Sequence, residues 1–78
     1  MARTWTATIK VGREVIDATP SRSDLLSDQT VSAVREAAMF LDGRTDVRVV
    51  LWKTTQAGTR EDRSFGVWMD QGKVRYQR

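Results

Sequence analysis

Two tryptophans sit among cations at strand spacing. Arg48 precedes Trp52 by four residues, and Lys73 and Arg75 follow Trp68 across a Gln71-Gly72 turn. Lys10 lies at the end of an alternating segment near the start of the chain. Exposed indoles stack nucleic-acid bases while neighbouring cations hold phosphates, at about 1–3 kcal/mol per stacked base. Trp and Arg are also the residues most enriched at the energetic centres of protein interfaces. A further pair, Arg60 and Arg63, flanks Glu61-Asp62 in a polar stretch expected to form a loop over 56–63. A basic hairpin tip can enter a groove of duplex DNA, but two acids in its middle oppose that use and favour a solvated loop.

Purely structural roles compete with these. Trp68 and Arg75 can form a cross-strand cation–π pair, worth about 0.5–1 kcal/mol when exposed. The 56–63 loop can fold over Trp52.

Catalytic constellations are nearly empty. The chain has no Cys and no His, which removes thiolate chemistry, disulfides, the commonest general base and the commonest metal ligand. Glu61-Asp62 and Asp42 with Asp46 are the candidate carboxylate pairs, and neither has an evident partner base or nucleophile. Residues 42–46 resemble the start of a calcium loop but lack its further oxygen ligands and terminal Glu. Neither a Gly-x-Ser-x-Gly elbow nor a Gly-rich phosphate loop occurs. The expectation is a non-enzyme with no catalytic residues, metal site or cofactor.

The elements that must position the tryptophans follow from periodicity. Over 4–11, Trp5, Ala7, Ile9 and Val11 alternate with Thr4, Thr6, Thr8 and Lys10, the pattern of a half-buried strand. Gly12-Arg13 reads as a two-residue hairpin loop, with a return strand over 14–18. Pairing Val11 with Glu14 sets Ile9 opposite Ile16 and Ala7 opposite Ala18. Thr19-Pro20-Ser21 ends it, in a loop over 19–26.

Ser27 is the expected helix N-cap, with Asp28 in the first turn, Leu26 and Val31 as a hydrophobic staple, and Gly43 as the stop. Val31, Val34, Ala38 and Leu41, with Ala33, Ala37 and Phe40 beside them, make the apolar face, and Met39 falls near the polar one. Strands are expected over 47–55, 64–70 and 73–78. Closing the last hairpin at Asp70 and Lys73 pairs Met69 with Val74, Val67 with Tyr76 and Trp68 with Arg75.

The predicted fold is therefore a single α+β domain over 1–78: one antiparallel sheet in the order β-β-α-β-β-β, with one helix on one face. The helix-covered face would hold Trp5, Ala7, Ile9, Ile16, Val47, Val49, Leu51, Phe65, Val67, Met69, Val74 and Tyr76. The other would hold Thr4, Thr6, Thr8, Lys10, Val15, Arg48, Val50, Trp52, Thr54, Trp68, Lys73 and Arg75, with no second layer to cover it.

Size and charge fit a small interaction domain. At 78 residues the chain buries only about 60% of its unfolded surface, so its core is thin and dimerisation would help it. Charge is segregated: residues 1–13 carry +3, 14–46 carry −4 and 47–78 carry +4. The acids Asp17, Asp24, Asp28, Glu36, Asp42 and Asp46 surround the helix, as a solvated surface or a patch for a basic partner. The longest unbroken apolar run, 37–41, is too short for a membrane span or a signal peptide. With the Met1-Ala2-Arg3 start and the absence of Cys, this predicts a cytoplasmic protein without membrane association.

The layout of hairpin, single helix and closing hairpin, with the ending Gly66-Val67-Trp68-Met69-Asp70-Gln71-Gly72-Lys73, resembles some small phage proteins that inhibit CRISPR complexes. The resemblance implies an inhibitor of a host complex and carries over no functional residue. The expected function is a binding module whose open basic-aromatic face, with Trp52, Trp68, Arg48, Lys73, Arg75, Lys10, Arg60 and Arg63 as candidate contacts, meets a protein: a second copy of itself or a host complex. The alternative is a nucleic-acid binder.

Overall fold

The computed structural model describes residues 3–16 and 23–77. It contains β1 (Thr4–Val11), β2 (Glu14–Ile16), α1 (Leu26–Ala38), β3 (Val47–Thr55), β4 (Gly58–Asp70) and β5 (Lys73–Tyr76). The strands form one antiparallel sheet in the order β2-β1-β3-β4-β5, and α1 packs on one face, mainly over β1 and β3. This is the α+β architecture expected from the periodicity.

Both predicted hairpin registers are present. Ile9 faces Ile16 and Val11 faces Glu14 across the first. Asp70 faces Lys73, Met69 faces Val74, Trp68 faces Arg75 and Val67 faces Tyr76 across the last. The turns explain the registers. Gln71 and Gly72 both have positive φ, 51° and 77°, as a tight two-residue hairpin requires. The expected Ala7–Ala18 pair, residues 19–22 of the expected 19–26 loop and the end of the fifth strand at Arg78 lie outside the described residues.

The 56–63 segment is not a loop. Gln56-Ala57 alone make the turn, and Gly58 onward continues β4. This part of the β3–β4 hairpin is polar, and its residues 58–63 are exposed. The apolar alternation that marks a half-buried strand is therefore absent from its sequence. One irregularity interrupts the pairing: Leu51 faces Arg63 but Trp52 faces Glu61, leaving Asp62 as the extra residue of a bulge.

The helix starts and stops earlier than expected. Leu25 is the N-cap, without a side-chain cap bond, and Ser27 lies inside the helix. Ser23 does the nearest capping work, its Oγ accepting from the Leu25 N–H at 3.2 Å. After Ala38 the chain tightens: the Phe40 and Leu41 amides donate to the Ala37 and Ala38 carbonyls, and Gly43 (φ 72°) completes the turn.

The core is Ala7, Ile9, Val11, Val47, Val49, Leu51, Phe65 and Val67 from the sheet with Ala33, Ala37 and Leu41 from the helical region, closed at one end by buried Trp5. Three expected core residues are exposed instead: Val31, Met69 and Val74. The helix centres on β1 and β3, so Met69 and Val74 lie beyond its reach. One polar helix residue is buried: Gln29 is 1% exposed.

Candidate binding face

Strand alternation and register assemble the face opposite the helix. Across β1, β3 and β4 it runs in rows: Lys10, Arg48 and Gly66; Thr8, Val50 and Ser64; Thr6, Trp52 and Glu61. Across β4 and β5 it adds Trp68 beside Arg75 and Asp70 beside Lys73. Of the eight candidate contacts, this face gathers Lys10, Arg48, Trp52, Trp68, Lys73 and Arg75.

Arg60 and Arg63 are not brought to it. Arg63 faces Leu51 and Arg60 faces Lys53, on the side of the sheet that carries the helix. Arg63 shares the parity of Phe65 and Val67, which puts it on the core side. The bulge at Asp62 moves Arg60: without the extra residue Arg60 would share the side of Ser64 and Gly66, and with it Glu61 joins the row of Trp52 and Arg60 points to the helix side. Arg63 Nε bonds Asp62 Oδ2 at 3.1 Å.

The two tryptophans have different surroundings. Trp52 is half-buried and its Nε1 donates to Thr8 Oγ1 at 2.9 Å. The indole therefore leans toward the row of Val50. Val50 is only 2% exposed although, among the described residues, no element covers this face. Its same-face neighbours Thr8, Ser64, Arg48 and Trp52 supply that cover. Thr8 holds the Trp52 indole by this bond, and Glu61 of the 56–63 segment is its cross-strand neighbour.

Trp68 is 39% exposed. Arg75, its cross-strand neighbour, turns to Asp70 instead, with Nε 3.7 Å from Oδ2. Among the described residues the one cation–π contact is elsewhere, between Lys53 Nζ and the ring of Trp5 at 5.6 Å. Trp68 thus presents its ring without a stacked cation.

Arg48 lies across the face. Its Nη2 reaches Ser64 Oγ at 3.4 Å, and a Cβ placed on Gly66 would meet its Nη1 at 3.9 Å. The guanidinium therefore extends over β4, above the backbone at Gly66 and two residues along the strand from Trp68. Among the described residues, Lys10, Arg48 and Lys73 form no ion pair. The positions of Ser64 and Gly66 carried no sequence signal, because their part is to leave room for Arg48.

The carboxylates considered for chemistry are dispersed. Asp46 accepts two bonds from Arg44, at 2.9 Å each, from Nε and Nη2. That hydrogen bonding holds its carboxyl below the usual range and raises the Arg44 guanidinium. Among the described residues, no three His, Cys, Asp or Glu side chains converge as a metal site would need, and no helix is long and apolar enough to cross a membrane. The chain matches no family model, no curated protein and no solved structure, so the resemblance to phage inhibitors stands on residues 66–73 and the layout alone.

Proposed function

We propose that the protein is a non-enzymatic binding module whose uncovered sheet face docks a protein partner, with Trp68 and Arg48 at the centre of the contact. The observation that carries this reading is the pairing of an exposed indole with an extended guanidinium that, among the described residues, forms no ion pair and lies on a face no second layer covers. Aromatic and Arg anchors of this kind dominate interface energetics. Four cations against Glu61 and Asp70 give the face a positive balance and favour an acidic partner surface. Inhibition of a host complex, as the closing hairpin's resemblance implies, is one form such docking takes.

The same cation balance supports a second reading, single-stranded nucleic acid stacked on Trp68 with Arg48, Lys10 and Lys73 on phosphates. Tryptophan fluorescence, followed during titration with single- and double-stranded oligonucleotides at low and high salt, separates the two. Phosphate binding gives quenching that weakens steeply as salt rises. The protein-docking reading expects no quenching at either salt.

A further inference from the structure

The helix-bearing side of the sheet is only half covered. Adjacent strands lie about 4.8 Å apart, so β4 and β5 together offer about the width of one helix, roughly 10 Å. α1 lies mainly over β1 and β3 and reaches β4 and β5 only in part, burying Phe65 and Val67 and leaving Met69 and Val74 open. The result is a trough whose wall is the helix flank Val31, Val34 and Ala38. Its floor includes Phe65 and Tyr76, whose rings are 5.3 Å apart, and the exposed pair Met69 and Val74. Clefts open at both ends, one of about 430 Å³ beside the start of α1 and one of about 520 Å³ beside its end. The charged residue at the first end is Arg63 and at the second Arg44.

The outward ridge of α1 has the complementary character. Val31 is 48% exposed and Met39 75%, on either side of Arg35, with Asp28 at the helix start. Among the described residues seven large hydrophobic side chains are exposed, and four of them belong to this ridge or to the trough floor.

We infer that the occupant of the trough is α1 of a second copy of this chain. A two-fold axis parallel to α1 sets the two helices side by side between the two sheets. Each ridge then lies on the other copy's β4–β5 floor. Val31, Met39, Met69 and Val74 of both copies are buried by one operation, and the second copy's Asp28 comes to the Arg63 end of the trough.

Pairing through the β5 edge is the less favourable self-association. It would bring Lys73 and Arg75 against their own copies and leave both troughs open. A helix of 13 residues is about 20 Å long, and the molecule's shorter extents are 23 and 20 Å. The contact is therefore on the order of 500 Å² per copy, at the low end for specific interfaces, where weak dimers lie.

Sedimentation equilibrium from about 1 μM to 1 mM is the test, since a dimer of this strength changes mass across that range. The mass is expected to rise from 8.9 kDa to twice that value. Met39→Glu on the ridge and Val74→Glu on the floor should each weaken the dimer about 10-fold or more, and Trp68→Ala on the opposite face less than about 3-fold. A mass of 8.9 kDa throughout overturns the inference, as does a dimer that Trp68→Ala abolishes and the other two variants leave intact. Dilution of the wild-type protein, followed by NMR, needs no variant. Shifts are expected at Val31, Met39, Met69 and Val74, and shifts confined to the opposite face refute the arrangement.

Discussion

The indole of Trp52 bonds Thr8, two residues along β1 from its register partner Thr6, at 2.9 Å. This diagonal contact ties β1 to β3 on the face that lacks a helix. It makes Trp52 part of the fold and leaves Trp68 as the exposed aromatic. Trp52→Phe keeps a ring over the sheet and removes the donor, so it should cost about 1 kcal/mol, as should Thr8→Val. Urea denaturation of both single variants and the double variant measures the coupling, expected at about 1 kcal/mol. Strict additivity would mean that the bond does not stabilise the fold.

Gln29 is buried against the sheet with its Oε1 unpartnered among the described residues. A buried acceptor without a donor costs about 1–3 kcal/mol. Gln29→Met keeps the length of the side chain and removes the unpaired oxygen. It should stabilise the protein by about 1 kcal/mol in denaturant titration, and a loss of stability would reveal a donor to that oxygen.

Gly12 has φ 61°, and its N–H donates to the Asp46 carbonyl at 3.0 Å. A Cβ there would stand 2.9 Å from Asp46 Oδ2. Gly12→Ala therefore meets two penalties, a left-handed backbone worth about 1–2 kcal/mol and a clash with the Arg44–Asp46 pair. Gly43, with φ 72° and open space around its Cβ position, carries the first penalty alone. Thermal unfolding should rank Gly12→Ala below Gly43→Ala, and equal losses would mean that Asp46 moves aside freely.

The Asp46 carboxyl is held below its ordinary value of 3.8 by its hydrogen bonds to Arg44. A depressed carboxyl contributes stability that is present above the unfolded-state value and is lost as pH falls through the folded one. This pair should thus be insensitive to pH near neutrality and weaken only in the acid range below about 4. In Arg44→Ala the Asp46 titration, followed by carboxyl NMR, should move upward toward the ordinary value. An unchanged midpoint would contradict the bidentate pairing.

The sequence exposed the fold where burial was one-sided. β1 alternates cleanly because one face is core, and the first and last hairpin turns are written in Gly12 and Gly72. The limits of the helix were less legible. Leu25, with no capping side chain of its own, replaces the stronger-looking Ser27. The outer half of the β3–β4 hairpin was illegible because solvent on both faces removes the apolar period. The bulge at Asp62 was equally hidden, and it decided that Arg60 left the candidate face, whereas Arg63 follows the parity of Phe65. The six residues that do share that face could be read from strand parity. The direction in which Arg48, Arg75 and Trp52 turn depends on Gly66, Asp70 and Thr8 across the strands, which no local pattern announces.

The claim that the uncovered face is the docking surface is tested most directly by affinity capture with tagged wild-type protein, the double variant Trp68→Ala/Arg48→Ala, and Val74→Glu. Extracts of the cells that carry the protein are treated with nuclease, and each recovered partner is purified and re-measured against all three proteins. The account predicts a protein partner that binds wild type and Val74→Glu with the same affinity and the double variant at least about 10-fold more weakly. A partner that binds the double variant as tightly as the wild type would contradict it and move the docking surface off this face.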